Sequence, residues 1–170
     1  MTRDDDTPTL SGGARPEPAV ELRPGSSVGR YVVLQTLGQG GMGIVYAAYD
    51  PRLDRKVALK LLRRRDRDPA LEARLMREAQ ALAKLNDPHV LTLYDVGTVG
   101  EQIFLATEYV EGQNLSRWLK AAPRTTEEIL EVFLQAGRGL SAAHRSGLVH
   151  RDFKPGNVMI EHRGNAKLMD

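Results

Sequence analysis

Between the apolar runs Gly147–Val149 and Val158–Ile160 stand His150-Arg151-Asp152-Phe153-Lys154-Pro155-Gly156-Asn157, and no other stretch restricts the chain as much. An acid, a base and an amide at fixed offsets, flanked by two short apolar segments, are expected to project from one loop anchored at both ends. Asp152 can accept a proton from an attacking hydroxyl, Lys154 can neutralise a transferring phosphoryl group, and Asn157 can offer a side-chain oxygen to magnesium. Alone, the same residues read as a solvated turn. Their weight comes from what precedes them.

The 170 residues suffice for one compact domain. A hydrophobic fraction of 41% permits a real core, and 27% charged residues point to a soluble surface. Lys+Arg 24 against Asp+Glu 22 leaves +2, too little to argue for nucleic acid or a membrane surface. The cluster Arg63-Arg64-Arg65 and Arg67, broken by Asp66 and Asp68, reads as a solvated loop. Without cysteine there are no disulfides, Cys-ligated zinc or thiol catalysis, which fits a reducing, cytoplasmic setting. The acidic start Met1–Asp6 has no apolar segment of a secretory signal, and no apolar run approaches the roughly 20 residues of a membrane span.

Residues 1 to about 27 are rich in Pro, Gly, Ser, Thr and Asp and are expected to form a flexible tail; Thr7-Pro8 within it carries little weight as a phosphorylation site. From Tyr31 a β-rich run leads into Gly38-Gln39-Gly40-Gly41-Met42-Gly43 and then Ile44–Tyr49, whose alternation suits a second strand. Glycines permit a tight hairpin whose backbone N–H groups can close over phosphates. Strand, glycine loop, strand argues against dinucleotide binding, which needs a helix opening within the motif. A further strand, Lys56–Leu62, puts Ala58, Lys60 and Leu62 on one face. A helix is expected from Pro69 to about Leu85, with Leu71, Leu75, Glu78, Leu82 and Leu85 on one stripe. Lys60 and Glu78, each on an apolar face, are most simply explained as a pair. Two strands, His89–Val96 and Gln102–Val110, are expected around a turn at Gly97–Glu101. Asn114 caps a short helix to Lys120 with Leu115, Trp118 and Leu119 inside. Thr125 and Glu128 form a capping box for a helix ending at Gly147, with Ile129, Phe133, Ala136, Leu140 and Ala143 as its core stripe and His144 as a cation at its C-terminal dipole or a surface residue rather than a ligand. Val158–Ile160 and Ala166–Met169 flank a Gly164-Asn165 turn.

These motifs, in this order, resemble the Hanks-type serine/threonine protein kinases of bacteria over about residues 28 to 170. The resemblance implies an α+β fold: a five-stranded antiparallel N-lobe sheet with one helix over 28–112, then the first helices and catalytic loop of a mainly helical C-lobe over 113–170. It implies that ATP is covered by Leu37, Gly38, Gln39, Gly40, Gly41, Gly43 and Val45 and bordered by Ala58, Thr107, Glu108 and Val110, the last two through their backbone. By the same resemblance Lys60 holds phosphates, Glu78 orients Lys60, Asp152 is the base, Lys154 steadies the γ-phosphate, and Asn157 with Asp170 holds Mg2+. Arg151 beside Asp152 resembles kinases switched by activation-loop phosphorylation. Expected partners are proteins with Ser/Thr acceptors, self-phosphorylation included, with neither nucleic acid nor membrane contact within this chain. Asp170 matches the aspartate of D-F-G, so the chain reads as a fragment of an active kinase that alone binds nucleotide weakly at best, with membrane anchorage of the parent left open. The competing readings are a catalytically incompetent nucleotide-binding or interaction module and, further off, a small-molecule kinase.

Overall fold

A computed structural model of the chain describes residues 21–41, 43–62, 69–100 and 102–169, with the side chains of 69–72 left aside. The stretch up to residue 20 with Thr7, the arginine cluster at 63–67, and Asp170 lie outside the described residues. The first half forms one antiparallel sheet from β1 (Ser27–Val28), β2 (Tyr31–Gly40), β3 (Gly43–Asp50), β4 (Arg55–Leu62), β5 (Leu93–Val99) and β6 (Gln102–Glu108), in the order β1-β2-β3-β4-β6-β5. The sixth strand, not expected from the sequence, is the two-residue β1, which pairs Val28 with Tyr31. Helix α1 (Pro69–Ala83) joins β4 to β5.

Strand alternation divides this sheet into two chemically different faces. One carries the buried Ile44, Tyr46, Ala48, Val57, Leu59, Leu61, Phe104 and Ala106, a core completed by Val28, Tyr31 and Val33. Each large member removed from water contributes about 1.5–3 kcal/mol before entropy is subtracted. The other face holds Val45, Ala58, Lys60, Leu105 and Thr107, all half-buried. Of the stretch expected to be flexible to about residue 27, residues 21–27 are ordered against the first sheet. Leu22 packs against the core, its N–H donates to Tyr46 Oη (3.1 Å), and the Gly25 N–H donates to the Val33 carbonyl (2.8 Å).

Residues 109–111 carry the chain from β6 into a second, smaller sheet made of β7 (Gly112–Asn114), β8 (Val158–Glu161) and β9 (Ala166–Leu168). Helices α2 (Leu115–Ala121) and α3 (Thr126–Arg145) pack on it around Leu115, Val132, Ala136, Val158, Ile160, Ala166 and Leu168. Both caps form as expected: Asn114 Oδ1 accepts from the Arg117 N–H (2.9 Å). The Glu128 N–H donates to Thr125 Oγ1 (3.1 Å) while the Thr125 N–H donates to Glu128 Oε2 (2.8 Å).

Three expectations are corrected. β5 runs on to Val99, so the turn sits at Gly100 rather than opening at Gly97. On α3, Phe133 is exposed beside Leu130 and Leu134, and the buried side instead includes Val132, Gln135, Gly139 and Ala142. On α1, Ala79 is buried and Glu78 exposed, so the carboxylate does not interrupt a core-facing stripe. Among the described residues no helix is long and apolar enough to cross a membrane.

Candidate active site

Register across the first sheet assembles one wall of the site. Gly38 pairs with Val45, Val45 with Lys60, and Lys60 with Leu105; two residues along, Ala47 pairs with Ala58 and Ala58 with Thr107. Directly paired residues share a face, so Val45, Ala58, Lys60 and Thr107 come together under the β2–β3 turn. The turn's glycines are not equivalent. A Cβ on Gly43 would lie 2.1 Å from the Leu61 carbonyl oxygen, so this glycine is required by the neighbouring strand, whereas Gly38, Gly40 and Gly41 stand in open space.

At the end of β6, Thr107 Oγ1 donates weakly to the Ala58 carbonyl (3.4 Å). The Glu108 N–H is already used by the Thr92 carbonyl (2.9 Å), so it is the Glu108 carbonyl that can serve a ligand. Leu37, 42% exposed, and Gln39 stand on the solvent side of the β2–β3 turn, and Val110 is half-buried in the crossing segment.

The second wall is the loop after α3. The Asp152 N–H donates to the His150 carbonyl (2.7 Å) across Arg151, whose φ of 61° lies in the left-handed region. Such a turn is strained for a residue with a side chain and is held by its surroundings. One support is His150: Nε2 donates to the Met169 carbonyl (2.7 Å) and Nδ1 accepts from the Asp152 N–H (3.3 Å), so both partners select the Nε2–H tautomer. The 3-10 turn Pro155–Asn157 then brings Asn157 back, and its Nδ2 donates to the Asp152 carbonyl (2.9 Å) and Oδ2 (3.0 Å). Lys154 Nζ donates to the same Oδ2 (2.7 Å). The Lys154 hydrogen bond holds the Asp152 carboxyl below its ordinary range; burial opposes this, and Asn157 and His150 add to it. The Met169 N–H donates to the Asn157 carbonyl (2.8 Å), so the residue before Asp170 is tied to His150 and Asn157.

The expected Lys60–Glu78 pair is not among the ion pairs between described residues. Glu78 Oε1 meets Arg74 Nε (3.1 Å) and Arg151 Nη1 of the 150–157 loop (3.5 Å). Lys60 has an interaction of its own. α1 therefore stands rotated so that its carboxylate faces solvent and Arg151. Sequence reasoning gave no role to His150 and missed the pairing of Lys167 with Glu108. Lone charges in strands carry no periodic signal that would reveal such partners. It also missed a structural network on the sheet's other face, where fully buried Asp50 pairs with Arg30 (3.3 Å) and Tyr31 Oη donates to Asp95 Oδ2 (2.9 Å).

Sheet, glycine turn, crossing segment and the 150–157 loop follow one another in the order of a two-lobed kinase domain, and the model of the protein kinase domain matches residues 31–170; the chain belongs to that family. Its similarity is to the Hanks-type serine/threonine kinases of bacteria. It is 40% identical over 144 residues to the serine/threonine-protein kinase PrkC of Bacillus subtilis, covering 84% of this chain and 22% of that protein. It is 38% identical over 148 residues to PknD of Mycobacterium tuberculosis, covering 86% and 22%. The chain thus spans about a fifth of the length of these relatives. The crystal structure of the Mycobacterium tuberculosis PknI kinase domain superposes with a TM-score of 0.78 at 30% identity, over 88% of this chain and 62% of that one.

Proposed function

We propose that the protein containing this chain transfers the γ-phosphate of ATP to serine or threonine hydroxyls of proteins, itself included. The observation that carries the reading is the convergence of Lys154 Nζ and Asn157 Nδ2 on one oxygen of Asp152. That arrangement keeps the carboxylate ionised and fixes its direction. In the transfer, the acceptor oxygen bonds to the γ-phosphorus and the bond to the β–γ bridging oxygen breaks. The hydroxyl proton passes to the free Asp152 oxygen, and ADP leaves. Lys154 is close enough to Asp152 to meet the moving phosphoryl charge as well. Val45 and Ala58 offer an apolar wall for the base, the Glu108 carbonyl and Val110 backbone its polar edge, and Lys60 the positive charge for the phosphates.

Asn157 and Asp170 offer hard oxygen donors of the kind magnesium takes, and a bound ion there would neutralise phosphate charge. The reading requires α1 to turn so that Glu78 exchanges Arg151 for Lys60. It has cytoplasmic action as its setting, since ATP and protein hydroxyls meet there.

The test is transfer of labelled γ-phosphate to an acceptor protein by the full-length protein. Asp152→Asn and Lys60→Met should each lower the rate by at least about 100-fold while the circular dichroism spectrum is kept. Undiminished transfer by Asp152→Asn would sink the assignment. Transfer to small metabolites but not to proteins would favour the small-molecule alternative.

A further inference from the structure

The two sheets are joined covalently through residues 109–111, and of the other ties between the two bodies, which include His89 Nδ1 donating to the Ala166 carbonyl (3.1 Å), two stand closest to that crossing. One is backbone: the Leu168 N–H donates to the His89 carbonyl (2.8 Å) and the Leu91 N–H to the Leu168 carbonyl (2.9 Å), a parallel bridge between β9 and the segment before β5. The other is ionic. Lys167 Nζ, on β9, lies 2.6 Å from Glu108 Oε1 at the end of β6, and 3.5 Å from Glu161 Oε1 on its own hairpin. All three side chains are largely buried, with Lys167 only 14% exposed. Burial pushes the Lys167 ammonium down, but its hydrogen bond to Glu108 and the attraction of both carboxylates more than reverse this. The shorter bond is therefore the one that crosses between the two bodies.

We propose that Lys167 and Glu108 form a latch beside the crossing segment, one that sets the angle between the two sheets and positions the 108–110 backbone for the base of a nucleotide. Releasing the backbone bridge at Leu168 would strand two backbone groups at once, the Leu168 N–H and its carbonyl. The ion pair can open while both strands stay intact, which makes it the adjustable tie. Glu108 is well placed for the task. Its N–H is bonded to Thr92, so its side chain and its carbonyl move together with the edge of β5. Lys167 is a positioning residue in this account. The effect on nucleotide rests on the phosphotransfer reading, whereas the latch itself rests on geometry alone.

The test reads amide hydrogen exchange at residues 109–113 in the nucleotide-free, full-length protein. Lys167→Met and Glu108→Gln should each speed exchange there by about tenfold, and the double variant no more than either alone. Lys167→Arg should restore protection, and Glu161→Gln should stay within about twofold of wild type. With ATP, Lys167→Met should raise KM about fivefold with kcat within about twofold. Unchanged exchange in Lys167→Met, or an equal effect from Glu161→Gln with none from Glu108→Gln, would reduce the pair to a local hairpin contact and overturn the latch. Because exchange is read without nucleotide, it decides the latch even if the phosphotransfer reading fails in the assay above.

Discussion

Glycines that look alike in a motif separate once their neighbours are known. Gly43 faces the Leu61 carbonyl at a distance no Cβ tolerates, while Gly40 faces open space. Gly43→Ala should therefore lower stability by about 2 kcal/mol, the scale of an overpacked site, seen as a reduced denaturant midpoint. Gly40→Ala should stay within about 0.5 kcal/mol and weaken nucleotide binding instead. Asp152 yields a second outcome at this scale. Its folded value is lowered from 3.8, chiefly by Lys154, so its contribution is present above 3.8 and is lost only as pH falls through the lower folded value. With its side chain 46% exposed it adds little to stability, yet it stays ionised across the neutral range. An acidic limb in a pH–rate profile should therefore not come from Asp152, and a carboxyl titration followed by NMR should place its midpoint below 3.8.

Among the elements, α3 owes its start to a sequence signature with a local cause. Thr125 and Glu128 satisfy each other's backbone N–H groups. Thr125→Ala should cost about 1 kcal/mol in thermal or denaturant unfolding. Caps, strand alternation and the Gly164 turn were legible from sequence because each depends on near neighbours in the chain. The phase of helix burial was not. On α3 the period was right, but small residues face the core: Gly139 lies so close to the His89 carbonyl that a Cβ would come within 2.4 Å. Phe133 lies on the exposed side of the same helix. On α1 the large leucines suggested a stripe through Glu78, yet among the described side chains it is Ala79 that is buried, and Arg151 from a distant loop takes the carboxylate. The candidate site divides the same way. Asp152, Lys154 and Asn157 were readable as a cluster because they lie within one loop, whereas Glu108–Lys167 spans 59 residues and leaves no local trace.

For the whole molecule, two cores and two sheets meet along a seam of few contacts, and charge holds part of it. Lys167 is raised above 10.5, so its contribution is complete below 10.5 and is lost as pH rises through the higher folded value. Exchange at residues 109–113 should be flat from neutral pH to about 10, after correction for the intrinsic rate, and should rise only beyond it. The backbone bridge at Leu168 bears on how the molecule is made. While the ribosome is still adding residues, the first sheet can close upon itself, but the amide of Leu91 and the carbonyl of His89 have no mate until β9 emerges. A nascent chain halted before Leu168 would carry that edge open to water, and arrival of this one residue supplies both missing bonds.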